Sequence, residues 1–305
     1  MHGAMPTPGQ KADSWARAAT TASLTVALGL VFLKVWAWRA TGSAAILGSA
    51  ADSGLDLLGS AIAFGAVRYA AMPADDDHRF GHQKAEGLAS LLQAVVITLS
   101  ALFVTVESLR RLIEPEPIER AQLAVWVMAA SAAVTVALVA FQTLAVKRSR
   151  SLAVEGDRTH YVGDVIANLG ALFAIILASR FGFLRADALA GLLAAAFLLW
   201  SVRDIALRAL PQVMDQELPE ADRDRIQQIV TADPDVHGFH ALRTRRAGRR
   251  RYIQMHLELD GEITLNRAHA IADRVEKTLE AAFPETDVIV HQDPVGHAPA
   301  PQEAP

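Results

Sequence analysis

The chain has 305 residues, 52% hydrophobic and 20% charged, with a formal net charge of −4 and a mean hydropathy of +0.23. That balance excludes the strongly basic surface of a nucleic-acid binder, and the apolar excess points to a membrane. There is no Cys, so disulfides and thiolate metal sites are excluded, and a metal would need His, Asp, Glu or backbone oxygen.

Residues 1–14 are expected as a disordered tail, and MHGAMPTPGQ lacks the basic start and apolar core of a cleaved signal peptide. Hydropathy then predicts six spans with cores near 20–38, 44–67, 87–109, 121–146, 161–179 and 186–202, the last extendable through 205–210. Most approach the roughly 20 residues that a bilayer crossing needs. None of the cores contains Pro, which favours unbroken helices. The expectation is an all-α six-helix transmembrane bundle over 15–212. Basic residues favour the N-terminal tail and the even-numbered connections (Lys11, Arg17, Arg68, Arg79, Lys84, Lys147, Arg148, Arg150, Arg158) over the opposite side (Arg39, Arg110, Arg111, Arg120, Arg180, Arg185). By the positive-inside rule both termini lie in the cytoplasm.

Two spans carry polar residues four apart: Asp52 with Asp56 in the second, and His160 with Asp164 in the fifth. An ionised side chain at mid-membrane costs about 2.5–3.5 kcal/mol on insertion scales, so the four need something to offset them. Positions i and i+4 share a helix face. If the two helices face each other, three carboxylates and one imidazole converge, a set that can hold one divalent metal tetrahedrally. The bland alternative is that the acids bond helix neighbours or backbone. After the second span Pro73 stops the helix, and PADDDHRFGHQKAE places Asp75, His78 and His82 at loop spacing for a second metal site, beside Asp76 and Asp77. A solvated acidic loop explains that cluster equally well.

From Asp215 the pattern changes to that of a soluble domain over 213–294. A helix at 220–231, strands at 238–246 and 251–259 joined by a turn at Ala247–Gly248, a helix at 264–283 and a short strand at 287–290 form an αββαβ sandwich with helices on one sheet face. This domain holds His237, His240, His256, His269, His291 and Asp293, and imidazole suits zinc. A hairpin with Arg243, Arg245, Arg246, Arg249, Arg250 and Arg251 could meet anionic lipid or simply be a solvated strand face. Residues 295–305 are Pro- and Ala-rich and expected to be disordered.

SAAILGSAADSGLD, PADDDHRFGHQKAE, THYVGD and the tail's HALRTRRAG, HLELD and IVHQDP, in that order, closely resemble the cation diffusion facilitator family, nearest its bacterial zinc- and iron-efflux branch. The resemblance runs from about Thr20 to Pro294. It implies six transmembrane helices, a cytoplasmic α+β domain of metallochaperone-like type, and a homodimer in the bacterial inner membrane. It implies a transport site at Asp52, Asp56, His160 and Asp164 and a loop site at Asp75, His78 and His82. In the tail it implies a two-metal site near the dimer interface from His240, His256, His269, His291 and Asp293, with Gln292 as a weak ligand. Lys84 and Asp215 match a charge pair that ties the two parts together in relatives. His237 matches no family ligand, and Thr159 stands where relatives often have an apolar residue.

The expected activity is export of Zn2+, or of Cd2+ or Fe2+, in exchange for protons. Metal needs deprotonated ligands, so protons compete for the same atoms, and imidazole titrates near working pH. One His among three acids favours zinc or cadmium over an all-oxygen site suited to manganese. No GxxxxGK[ST] motif is present, and no organic cofactor or nucleic-acid partner is expected. Zn2+ is expected as substrate and as a structural or regulatory ion in the tail. The alternatives are a manganese, iron, cobalt or nickel exporter of the same family, a metal-dependent membrane enzyme, or a metal sensor that moves nothing. DSGLDLLGS lacks the DG and AR elements of Asp-rich lipid-headgroup transferases, and no nucleophile–base pair is evident, so no enzyme is expected.

Overall fold

In the computed structural model, residues 8–41, 44–114, 121–181 and 185–296 are described. Residues 1–7 of the expected N-terminal tail and 297–305 of the expected C-terminal tail lie outside them. The chain divides into two compact units, one through Leu210 and one from Pro211.

Among the described residues the first unit is built from six long helices, α1 Pro8–Thr41, α2 Ala44–Ala70, α3 Lys84–Ile113, α4 Ala121–Ser149, α5 Leu152–Phe181 and α6 Ala186–Val213, the last running past Leu210. Among the described residues, four segments are long and apolar enough to cross a membrane: Gly9–Arg39, Lys84–Ile113, Ala129–Ser149 and Ala188–Val213. At 27 and 30 residues, α2 and α5 are also long enough. They are the helices that carry the polar pairs.

Two starts differ from expectation. Residues 8–14, expected within the disordered tail, are helical. Pro8 fits a first helical position, where its missing N–H costs nothing, and Ala12, Ala16 and Ala19 are buried. Helix α5 starts at Leu152, well before the expected 161. Glu86 of α3 caps it: its Oε2 accepts from Ser151 Oγ at 2.6 Å and from Leu152 N at 3.1 Å. A carboxylate there meets the unpaired N–H groups and positive end of the helix. Pro211 lies inside the last turn of α6, beyond the expected core.

Small residues let the helices approach closely, as in other membrane bundles. Ala16 and Ala19 of α1, Ala63 and Val67 of α2, Ala145 of α4 and Ala153 and Val154 of α5 form one buried cluster. Ala94, Ile97 and Ala101 of α3 pack with Leu198 and Ile205 of α6 in another. Gly163 of α5 lies directly under Leu198, where a Cβ would overlap both Cδ2 and Cγ.

The second unit comprises α7 Glu220–Thr231, β1 Gly238–Ala247, β2 Arg250–Leu259, α8 Leu265–Ala282 and β3 Thr286–Pro294, with sheet order β1-β2-β3. Strands β1 and β2 are antiparallel, joined at Gly248, whose φ of +57° is free only to glycine. Strands β2 and β3 are parallel, a pairing that needs a crossover, which α8 supplies. Thr264 caps α8, accepting from Arg267 N. Ile253, Met255, Leu257 and Leu259 alternate along β2 toward Ile226 and Val230 of α7 and Ile271, Val275 and Leu279 of α8. Both helices therefore cover one face of the sheet, and the even-numbered residues of β2 occupy the other. Strand β3 runs through Pro294 rather than stopping at 290, so His291 and Asp293 sit on it.

Candidate metal centres

The first centre is inside the six-helix unit. His160 Nε2 of α5 lies 2.7 Å from Asp56 Oδ1 of α2, and both side chains are buried. Asp164, one turn along α5 and half-buried, completes a group whose ligand atoms lie within 4.8 Å of one another. The sequence expectation that the second and fifth spans face each other through these residues matches that geometry. Asp52 lies on α2 one turn before Asp56, but its side chain is outside the described residues. Thr159 Oγ1 donates back to Glu155 O at 2.9 Å.

Closing the group on one ion needs a modest contraction. Bonds of roughly 2.0–2.1 Å in a tetrahedron put ligand atoms about 3.3 Å apart. It also needs the Asp56–His160 contact to open, because the hydrogen bond between them occupies the space a metal would take.

The second centre is the turn between α2 and α3. Asp75 Oδ1 accepts from the backbone N–H of Asp77 at 3.1 Å and of His78 at 2.6 Å, and lies 3.2 Å from His78 Nδ1. Asp75 Oδ2 is 3.3 Å from His82 Nε2. The backbone hydrogen bond from His78, with smaller help from the His78 and His82 rings, outweighs desolvation and holds the Asp75 carboxyl below its ordinary range. His82 is buried, edge-on to Tyr69 with ring centroids 4.5 Å apart, and its Nδ1 has no hydrogen-bond partner. Asp75, His78 and His82 are therefore brought together as expected from the sequence. Asp76 pairs with Arg79 at 2.8 Å, and Asp77 is exposed.

The third centre is a row across the open sheet face. Register places His240 opposite His256 and His256 opposite His291, with centroid separations of 5.0 and 4.6 Å. Asp293 touches all three rings: 2.7 Å to His256 Nδ1, 3.3 Å to His240 Nε2 and 3.2 Å to His291 Nε2. Partial desolvation raises its pKa, but the His256 hydrogen bond and the three imidazoles more than offset this, and the net shift is downward. A bulge between His240 and Arg243, with Ala241 at φ +51°, makes the row possible. Without the extra residue His240 would fall opposite Leu257 and turn into the core.

Two tail expectations do not join this group within one chain. His269 is exposed on α8, which packs on the other sheet face. Gln292 pairs with Leu257, so its side chain also lies on the helix-covered face. His237 is exposed, its backbone N–H donating to Glu258 O at 2.9 Å. Three groups were not anticipated. Glu258 Oε1 lies 3.1 Å from His240 Nδ1; it sits two residues after His256, and strand alternation could have found it. Asp157 and Gln142 are buried polar residues beside the first centre; Asp157 is a turn before His160, a spacing visible in the sequence. Three of the six hairpin arginines form local ion pairs: Arg245 with Asp215 at 3.1 Å, Arg249 with Glu285 at 3.4 Å and Arg251 with Asp222 at 3.9 Å.

Membrane-length helices with a buried His and Asp cluster, followed by a small α+β domain with a row of His and Asp, are the arrangement of a candidate metal-handling membrane protein. Residues 20–214 match the cation efflux transmembrane domain and 218–295 the cation efflux protein cytoplasmic domain. The chain belongs to the cation efflux, or cation diffusion facilitator, family. It is 43% identical over 290 residues to a protein named cation-efflux pump FieF from Shewanella oneidensis, covering 95% of this chain and 98% of that one. It is 41% identical to the FieF of Klebsiella pneumoniae, covering 93% and 95%. The metal-bound C-terminal domain of the CzcD transporter from Thermotoga maritima is 27% identical, with a TM-score of 0.26, covering 27% of this chain and all of that one.

Proposed function

We propose that this cation efflux transporter exports Zn2+, with Cd2+ and Fe2+ as the nearest alternatives, across the bacterial inner membrane in exchange for protons. The observation that carries the reading is the meeting of Asp56 with His160 and Asp164 between two membrane-length helices. The Asp56–His160 hydrogen bond holds a proton where the metal would sit. Proton and metal therefore exclude each other at this place, as expected where ligands must be deprotonated to bind. Asp52, one turn away on the same helix, would supply the fourth ligand. Release requires α2 and α5 to part, as in rocking alternating access. Relatives named as cation-efflux pumps support the direction of transport.

In this reading the termini are cytoplasmic, the protein is a homodimer, and zinc at the loop and tail sites is regulatory. The ligand sets Asp75, His78 and His82, and His240, His256, His291 and Asp293, suit zinc chemically. Lys84 and Asp215 would transmit tail occupancy to the membrane helices, and His269 would join a tail ion only from a second chain. The test is zinc uptake into proteoliposomes under an imposed pH gradient. Parent flux that Asp56→Ala abolishes in a folded protein is expected. Undiminished flux in Asp56→Ala, or none in the parent, would contradict the reading.

A further inference from the structure

Asp157 is a carboxylate that the metal chemistry does not use. It lies on α5, 2% exposed, three residues before His160. Its oxygens are taken from two sides. Ser60 Oγ of α2 donates to Oδ1 at 3.0 Å, and Gln142 Nε2 of α4 donates to Oδ2 at 2.8 Å. The same Gln142 nitrogen donates to Ser23 Oγ of α1 at 2.8 Å, and Ser60 Oγ lies 2.9 Å from Tyr161 OH. Ser23, Ser60, Gln142 and Tyr161 are all fully buried. One carboxylate thus ties together four helices, and among the described residues no Lys or Arg pairs with it.

Two features argue that this tie sets position. The first is register. Asp56 meets His160, and one turn further along α2 Ser60 meets Asp157, one turn back along α5. These are successive rungs between two antiparallel helices, on the faces that carry the metal ligands. The second is the orientation of Gln142. It commits its amide nitrogen to Asp157 and Ser23 and leaves its own Oε1 buried with no hydrogen-bond partner. That is the orientation an acceptor at 157 demands.

We propose that Asp157 is a positioning residue whose carboxylate pins α5 to α1, α2 and α4 and so fixes the register in which His160 meets Asp56. The proposal rests on reading Asp56, His160 and Asp164 as the site of the transported ion. It goes beyond that reading in making a residue that never touches the ion set the ion's affinity.

The experiment compares zinc flux in proteoliposomes for the full-length parent, Ser60→Ala, Asp157→Asn and the reciprocal pair Asp157→Asn with Gln142→Glu. Asparagine at 157 turns an N–H2 toward the N–H2 of Gln142, so the half-saturating zinc concentration should rise roughly 10–100-fold, the usual cost of losing a group that orients a metal ligand. Maximal rate should change less. Ser60→Ala removes only the α2 rung and should raise the half-saturating concentration about tenfold. The reciprocal pair again sets donor against acceptor and keeps one buried carboxylate. Ser23 then turns its hydroxyl from Ala19 O, now 3.0 Å away, toward the carboxylate introduced on α4. The pair should recover most of the lost affinity.

Parent-like half-saturation in Ser60→Ala or Asp157→Asn overturns the proposal. So does a folded reciprocal pair no better than Asp157→Asn alone. If Asp157→Asn fails to fold, recovery of fold and affinity by the reciprocal pair supports the proposal, and failure to recover either overturns it. If the parent moves no zinc, the transport reading fails instead. The positioning claim is then decided by calorimetric zinc affinity of the same four proteins carrying His82→Ala and His256→Ala, with the same outcomes.

Discussion

Asp56, His160 and Asp164 were legible because a polar pair four apart inside an apolar run has one physical meaning: both side chains on one helix face at a place where charge is costly. Asp157 and Glu258 were not, for different reasons. Glu155, Asp157 and Arg158 resemble a solvated connection until Glu86 is seen to start α5 above them. Strand alternation puts Glu258 on the face of His256, but its pairing with His240 follows from the cross-strand register that the bulge at Ala241 sets. His269 shows the converse, since histidine density in the sequence carries no information about which sheet face a helix covers. If Glu258 orients His240, Glu258→Gln should weaken zinc binding at the tail about tenfold, as loss of a group orienting a metal ligand does. Calorimetry on the protein with His82→Ala and Asp56→Ala, which leaves the tail site intact, checks this. Unchanged affinity would mean that the contact is incidental.

At the scale of elements, α5 is held by small residues and a borrowed cap. The span count and the αββαβ order could be read from hydropathy and alternation. The starts of α1 and α5 could not, because Pro8, buried alanines and a carboxylate from α3 decide them. Gly163 packs under Leu198, itself 5% exposed, so a Cβ at 163 would force that buried side chain to shift. Gly163→Ala should cost about 1–3 kcal/mol through overpacking, and adding Leu198→Ala should restore part of it by making room. Thermal unfolding of the purified protein reads both. In the second unit, Arg274 of α8 reaches Asp233 at 2.6 Å and Asp235 at 2.7 Å, joining α8 to the segment before β1. The Arg274 hydrogen bond holds the Asp233 carboxyl below its ordinary value of 3.8 despite partial burial. A carboxyl depressed in the folded state stabilises it above the unfolded pKa and loses that contribution as pH falls through the folded value. Calorimetric melting of the second unit should therefore drop steeply below about pH 4, and less steeply in Asp233→Asn. Equal slopes would remove Asp233 from the acid response.

For the whole molecule, the two units place ligand chemistry in three separate settings: between membrane helices, in a surface turn and across an open sheet face. Only the first is buried among membrane-length helices. That sets the first group apart, in a chain of the cation efflux family, as the candidate for transport, and leaves the other two as candidates for further metal sites. The family follows from matches that span nearly the whole chain, and the six-helix plan from the helices α1 to α6. The ion and the proton exchange rest on chemistry and the dimer on family resemblance, and each is open to experiment. The most direct is anomalous scattering at the zinc edge from crystals of the full chain grown with zinc. One ion bonded by Asp52, Asp56, His160 and Asp164, and lost in His160→Ala, is the expected result. Zinc confined to the turn and the sheet face, with the α2–α5 pair closed on itself, would contradict it.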